Sequence, residues 1–291
     1  MRCLAVLGVL TSLLVAGCGA SRPKGPPALV FVSVKDGDYA LFGADAGGKH
    51  VWRLSKDKGD PSRPTGLLWQ VEPSWSPNGT RIAFASHRDG TAHIFSMLAN
   101  GTGTRRLTSS RQDDGHPSWS PDGRSIVFAR EGALFRIPAS GGTAHRVGKG
   151  LGNADDPAYS PDGKLIAYDY RQPGYSIREI YVMGADGTGI RRLTNLRAVS
   201  SLPTWSPNGK RIAFQSDVLA RHTQIYAVAS GGGKVERIQR SAGAAIQPAW
   251  SPDGSTIAFS LDGAIWISSR GTEKQLTSGQ EDDSDPAWTP K

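Results

Sequence analysis

One short phrase returns six times along this chain. It reads Pro-Ser-Trp-Ser-Pro-Asn-Gly from Pro73, Pro-Ser-Trp-Ser-Pro-Asp-Gly from Pro117, Pro-Ala-Tyr-Ser-Pro-Asp-Gly from Pro157, Pro-Thr-Trp-Ser-Pro-Asn-Gly from Pro203 and Pro-Ala-Trp-Ser-Pro-Asp-Gly from Pro248, and is cut short as Pro-Ala-Trp-Thr-Pro from Pro286. The steps between the leading prolines are 44, 40, 46, 45 and 38 residues. A period of this size is that of a four-stranded propeller blade; most helical repeats are shorter and carry helical apolar spacing. Each unit shows four brief β-like runs instead. In the unit from Pro73 they are the phrase itself, then residues 81–86, 93–98 and 104–108, separated by Gly, Asn or Asp.

The joints have identifiable chemistry. Ser-Pro-Asn-Gly at 76–79 suits a type I turn, with Pro77 presetting φ and Gly79 free to take a positive φ. Asp89-Gly90 and Asn100-Gly101 supply the next two bends, so consecutive strands pair antiparallel in one small sheet. The second and third strands are apolar on both faces, so each sheet must be covered on both sides, by its neighbours. Trp75, Trp119, Tyr159, Trp205, Trp250 and Trp288 hold one equivalent position, where a large ring fills the wedge between adjacent sheets. Paired arginines at 105–106 and 191–192 open the outermost strands, where charge protects an exposed edge.

The ends complete the count. Residues 29–55 align without a gap on 82–108, placing Phe31 on Phe84 and Gly37 on Gly90, so the first unit lacks only its leading phrase. That phrase stands alone at the end of the chain. Joining the two yields an all-β, six-bladed propeller of four-stranded antiparallel blades, the first blade closed by the C-terminal strand.

Residues 1–17 stand outside that fold. One positive charge at Arg2 precedes an apolar run from Leu4 to Ala16, too short to span a bilayer as a helix and of the length of a secretory signal. Its ending, Val15-Ala16-Gly17-Cys18, resembles the lipobox of bacterial lipoproteins, which implies cleavage before Cys18 and lipid attachment to it. More than one acyl chain anchors a protein stably outside the cytoplasm. Cys3 is lost with the signal, so the mature chain keeps a single cysteine and forms no internal disulfide. Residues 18–27 then form a lipid-bearing tether reaching about 30 Å at roughly 3.3 Å per residue, and residues 28–291 the propeller. The net charge of +8 suits anionic lipid or cell-wall polymer, while nucleic acid is not expected outside the cytoplasm.

The repeated segments "WSPNGKRIAF" (205–214), "IYVMGADGTGIRRLT" (180–194) and "WSPDGSTIAF" (250–259) resemble the TolB-like propeller repeat over about residues 28–291. The resemblance implies an extracytoplasmic six-bladed propeller that binds another protein. TolB proteins carry an additional α/β domain before the propeller and are soluble, whereas this chain has a short tether and a lipobox, so their partner is not carried over.

Hairpin order puts the Ser-Pro-Asp-Gly turns on one rim and the longer, more varied connections on the other. Binding residues concentrate on such loops. Arg88, Arg111, Tyr170, Arg171, Tyr175, Arg178, Arg221 and His222 are the candidate partner contacts, because Arg and Tyr dominate interface hot spots. Glu72, Asp156 and Asp285 each precede a repeat proline and should recur around one channel mouth, where a ring of carboxylates suits a cation such as calcium, although no EF-hand string is present. The six histidines show no zinc spacing. There is no GxSxG elbow, so no catalytic residue, metal or cofactor is assigned. The expectation is a monomeric, non-catalytic protein- or peptide-binding module, with a carbohydrate-active propeller as the alternative.

Overall fold

In the computed structural model, residues 25–35, 37–55, 70–88, 90–218 and 222–291 are described. Signal, lipobox, Cys18, most of the tether and Arg221 lie outside the described residues. Among the described residues, twenty-four strands form six four-stranded sheets. Blade 1 holds β1 (Leu29–Lys35), β2 (Asp38–Ala44) and β3 (Val51–Arg53); blade 2 holds β4 (Gln70–Trp75), β5 (Arg81–Ser86), β6 (His93–Leu98) and β7 (Arg105–Arg106). Blade 3 holds β8 (Asp114–Trp119), β9 (Ser125–Arg130), β10 (Ala133–Pro138) and β11 (His145–Val147). Blade 4 follows with β12 (Ala154–Tyr159), β13 (Leu165–Tyr170), β14 (Glu179–Gly184) and β15 (Arg191–Arg192), and blade 5 with β16 (Ser200–Trp205), β17 (Arg211–Ser216), β18 (Gln224–Ala229) and β19 (Glu236–Arg237). Blade 6 is β20 (Ala245–Trp250), β21 (Thr256–Leu261), β22 (Ala264–Ser269) and β23 (Thr272–Gln275), and β24 (Asp283–Trp288) returns to pair with β1. The six-bladed, end-closed propeller expected from the repeats is the observed fold.

The core lies between the sheets. Each of the six apolar clusters joins two successive blades: Val30, Val32 and Leu41 of blade 1 pack with Ile82, Phe84 and Met97 of blade 2, and the series runs round to Ala258 and Ile265 of blade 6 against Leu29 and Phe31 of blade 1. The repeat aromatic closes each wedge. Trp75, Trp205 and Trp288 also donate from their indole nitrogens to Ala287, Ala158 and Ala249 carbonyls of the preceding blade's innermost strand, at 3.2, 3.0 and 3.2 Å.

Two local devices recur. In the Ser-Pro-Asp-Gly turn, the Ser120 hydroxyl donates to Asp122 Oδ1 at 2.6 Å and accepts from the Ser125 amide at 3.0 Å, while Gly123 takes a φ of 69°. This fixes the Asp as a turn residue, and the Ser120 bond holds its carboxyl below the ordinary range. At the outer edge, the paired arginines do more than protect. Arg105 reaches the Ala139 carbonyl of blade 3 at 2.7 Å and Arg191 the Ser230 carbonyl of blade 5 at 3.1 Å, latching each blade to the next. Arg106 and Arg192 turn back onto the Thr108 and Thr194 carbonyls, and those threonine hydroxyls accept from the Ile94 and Ile180 amides.

Removing residues 282–291 deletes β24 and uncovers Leu29, Phe31 and the Trp288 wedge. At about 1.5–3 kcal/mol per large side chain exposed, the loss is roughly 5 kcal/mol. The truncated chain is expected to melt at markedly lower temperature and with less cooperativity by circular dichroism; a melt matching that of the full chain would show that closure contributes nothing.

Candidate functional site

Each innermost strand carries a bulge at the same point. Residues 72 and 73 of β4 together face Phe84 of β5, and the same two-against-one register recurs in all six blades. The facing residues, Phe31, Phe84, Phe128, Tyr168, Phe214 and Phe259, are all fully buried. A bulge accommodates the proline, which has no amide to give to the ladder. The residue before it takes a left-handed conformation: Glu72, His116, Asp156, Leu202, Gln247 and Asp285 have φ between 50° and 58°. Such conformations cost non-glycine residues about 1 kcal/mol or more and persist only where the surroundings impose them.

These six residues form a ring in the wall of the central channel, a cavity of about 460 Å³. They sit at the third position of each innermost strand, toward the variable rim, and the repeat aromatics lie at the sixth, beside the Ser-Pro-Asp-Gly turns. Side chains of the ring cap backbone amides of the next blade. Glu72 accepts from the His116 amide at 2.6 Å, Asp156 from Leu202 at 3.0 Å, Gln247 from Asp285 at 3.0 Å and Asp285 from Glu72 at 3.5 Å. Leu202 has no acceptor to offer Gln247, and Gln215 of β17 takes its place at 3.0 Å. Asp155 does likewise for the Asp156 amide at 3.1 Å.

The charges are unevenly matched. His116 lies between carboxylates, with Nδ1 2.9 Å from Asp156 and Nε2 3.3 Å from Glu72 and 3.8 Å from Asp155. Burial works against its charge, but Asp156 and Glu72 outweigh it, holding the imidazolium form well above the ordinary range. One ligand-type atom each from His116, Asp155 and Asp156 falls within 4.8 Å of the others. The imidazole ring occupies that spot with both of its nitrogens facing carboxylates. Asp169, fully buried behind this group, pairs with Arg178. Burial, then the Asp156 charge, push its carboxyl well up, against the pull of Arg178. Across the channel, burial and the neighbouring Glu72 raise Asp285 to about 7.

Four of the eight rim candidates come together on the β13–β14 loop of blade 4. Tyr170 is half-buried edge-on to Tyr181 at 5.3 Å, exposed Arg171 donates to Asn153 at 3.2 Å, and Tyr175 is 60% exposed. Arg178 is committed to Asp169, which makes it a wall of the channel group. The others are spread out: exposed Arg111 on the β7–β8 connection, exposed His222 before β18, and Arg88 in blade 2 with its guanidinium 4.5 Å over Phe95. Two features escaped the sequence reading. Val199, 44% exposed, bridges to Arg178 and extends the blade 4 patch. His116, Leu202 and Gln247 belong to the same ring as the three predicted acids; their shared place before each repeat proline was the available signal.

A six-bladed propeller with a polar channel mouth beneath long loops is therefore the class of protein defined here. The family model for the TolB beta propeller domain matches residues 14–133, 68–174 and 140–291, and the chain belongs to that family. A TolB homologue of Chlorobium chlorochromatii (strain CaD3) is 32% identical over 146 residues, 47% of this chain and 31% of that protein. The Tol-Pal system protein TolB of Syntrophus aciditrophicus (strain SB) is 35% identical over 68 residues, 23% of this chain and 13% of that protein. This chain thus matches less than a third of either curated relative. The crystal structure of TolB from Acinetobacter baumannii superposes with a TM-score of 0.76 at 22% identity, covering 90% of this chain and 66% of that one.

Asp285 gives the channel a pH signature. Its native carboxyl holds its proton up to about pH 7, whereas an unfolded one releases it near 3.8, so this group's contribution to stability falls as pH rises between those values. Asp285→Asn removes the titration. The melting temperature of the variant relative to wild type is expected to rise by roughly 5–10 °C, about 2.5 kcal/mol, from pH 5 to pH 8. A difference that stays constant across that range would contradict the assignment.

Proposed function

We propose that this propeller is an envelope-anchored, non-catalytic binding module: lipid on Cys18 holds it to a membrane outside the cytoplasm, and the variable rim recruits a protein or peptide. The observation that carries the reading is the contrast between the two tiers of the channel. Six backbone-equivalent positions at the variable mouth bear Glu, His, Asp, Leu, Gln and Asp, while the tier beside the tight turns is aromatic throughout, with Trp five times and Tyr once. Packing alone calls for sameness at equivalent positions; a recognition surface calls for difference. Exposed Tyr175, with Arg171 on the same loop and exposed Val199 bridged to Arg178, has the composition of an interface anchor. Kinship with TolB proteins, one of them named for a Tol-Pal system, favours an envelope protein as the partner.

Binding is preferred to catalysis because Glu72 and Asp156 each hold a backbone amide and face His116, which fixes them as acceptors with lone pairs left for a further donor. A seated donor is bound by such groups, whereas a general acid or base has to exchange a proton with a substrate.

Two experiments test the halves of the proposal separately. Labelling cells with a radioactive fatty acid should mark wild type and leave Cys18→Ala unlabelled and released from the membrane fraction; equal labelling refutes the anchor. A photo-crosslinking amino acid at position 175 should capture a discrete envelope protein. Capture should fall at least tenfold with Arg171→Glu, and a crosslinker at Lys164 on the opposite rim should not reproduce it. Equal capture from both rims would remove the variable rim as the binding face.

A further inference from the structure

At the variable mouth, five carboxyl groups (Glu72, Asp155, Asp156, Asp169 and Asp285) face two cationic side chains, His116 and Arg178. Gln215 and Gln247 complete the wall as neutral groups. Full ionisation would leave uncompensated negative charge in a confined space, which is costly. One point of excess is specific. Asp169 is fully buried, its Oδ1 has no donor among the described residues, and its carboxyl meets that of Asp156. Two carboxyl oxygens in contact need a proton or a cation between or beside them. The cavity continues from this tier past the repeat prolines to Trp75, Tyr159, Trp205, Trp250 and Trp288.

We propose that the channel mouth receives a lysine or arginine side chain of the protein partner, its cationic head seated among Asp156, Glu72 and Asp285 above the aromatic tier. The inference rests on the reading of the variable rim as a protein-binding face. An organic cation fits better than a metal ion. The His116 ring already faces carboxylates with both nitrogens, and a metal requires a neutral, lone-pair-bearing imidazole. The Trp and Tyr rings below suit an ammonium or guanidinium head, which aromatic faces attract.

The probe is pentylammonium, the lysine side chain without its backbone, titrated into the full chain while tryptophan fluorescence is followed, with 1-pentanol and calcium chloride as comparisons. A saturable response to the amine and none to the alcohol is expected. Affinity should rise several-fold from pH 6 to pH 8, as Asp285 gives up its proton, and fall at least tenfold in the Asp156→Asn, Asp285→Asn double variant. Circular dichroism melts show whether that variant is folded, and Asp156→Asn alone provides a second, milder reading. An equal response to pentanol, unchanged affinity in folded variants, or displacement of the amine by calcium at lower concentration would each overturn the proposal. Crosslinking from position 175 separates the two ideas. Capture undiminished in the double variant removes the inserted side chain and leaves the rim as binding face. Loss of rim specificity with amine binding intact does the reverse.

Discussion

A four-stranded sheet with apolar side chains on both faces has no side that it can present to water. Ile82, Ala83 and Phe84 are all fully buried although consecutive residues of a strand point to opposite faces. One face of β5 packs toward blade 1 and the other toward blade 3. No blade can therefore be stable alone, and an open row would leave two such faces in contact with solvent. Closure through β24 follows from this necessity. The indole nitrogens of Trp75, Trp205 and Trp288 tie neighbours at the inner end of the blade 1–2, 4–5 and 6–1 interfaces, and the guanidinium groups of Arg105 and Arg191 at the outer end of the 2–3 and 4–5 interfaces.

The site grows out of the packing. Setting two inner residues against one large buried aromatic shortens the inner ladder and accommodates a proline that cannot donate to it. It also turns the preceding residue into the left-handed region with its side chain in the channel wall. The backbone there is fixed by blade geometry, so the side chain is free to vary: Leu202 and His116 occupy the same conformation with opposite character. Where the ring residue carries an acceptor it caps the next blade's amide. Where it does not, a neighbour such as Gln215 supplies one, so the scaffold survives diversification of its own mouth.

What could be read from the sequence was what is encoded locally. Turn chemistry at Ser120, Asp122 and Gly123, the repeat period, and the alignment of Phe31 on Phe84 all depend on residues close in the chain or on matching copies. Phe31 does face Asp285 and Pro286 as Phe84 faces Glu72 and Pro73. Features that arise between blades were harder to see. Arg105 shows as an edge charge until the carbonyl it reaches, 34 residues away, is placed beside it. His116 looks like one of six scattered histidines until the bulge aligns it with Asp156 and Glu72. Arg178 had the composition of a rim contact, yet its charge is engaged by Asp169, a partner that burial hides from any reading of exposure.

These two kinds of information have different physical roots. The residues that close the ring are chosen for volume and shape, so they recur, and a change in one is felt as a cavity or a lost wedge. The residues of the mouth are chosen for charge in a confined space, where a carboxyl's state depends on its neighbours more than on its own chemistry. His116 is held toward its cationic form by acids contributed from blades 2 and 4, and Asp285 is kept from full ionisation by burial within the ring and by Glu72 of the adjoining blade. The electrostatic character of the mouth is thus a property of the closed ring. Any event that parts two blades would change the charge of the site before it touched a residue on the rim.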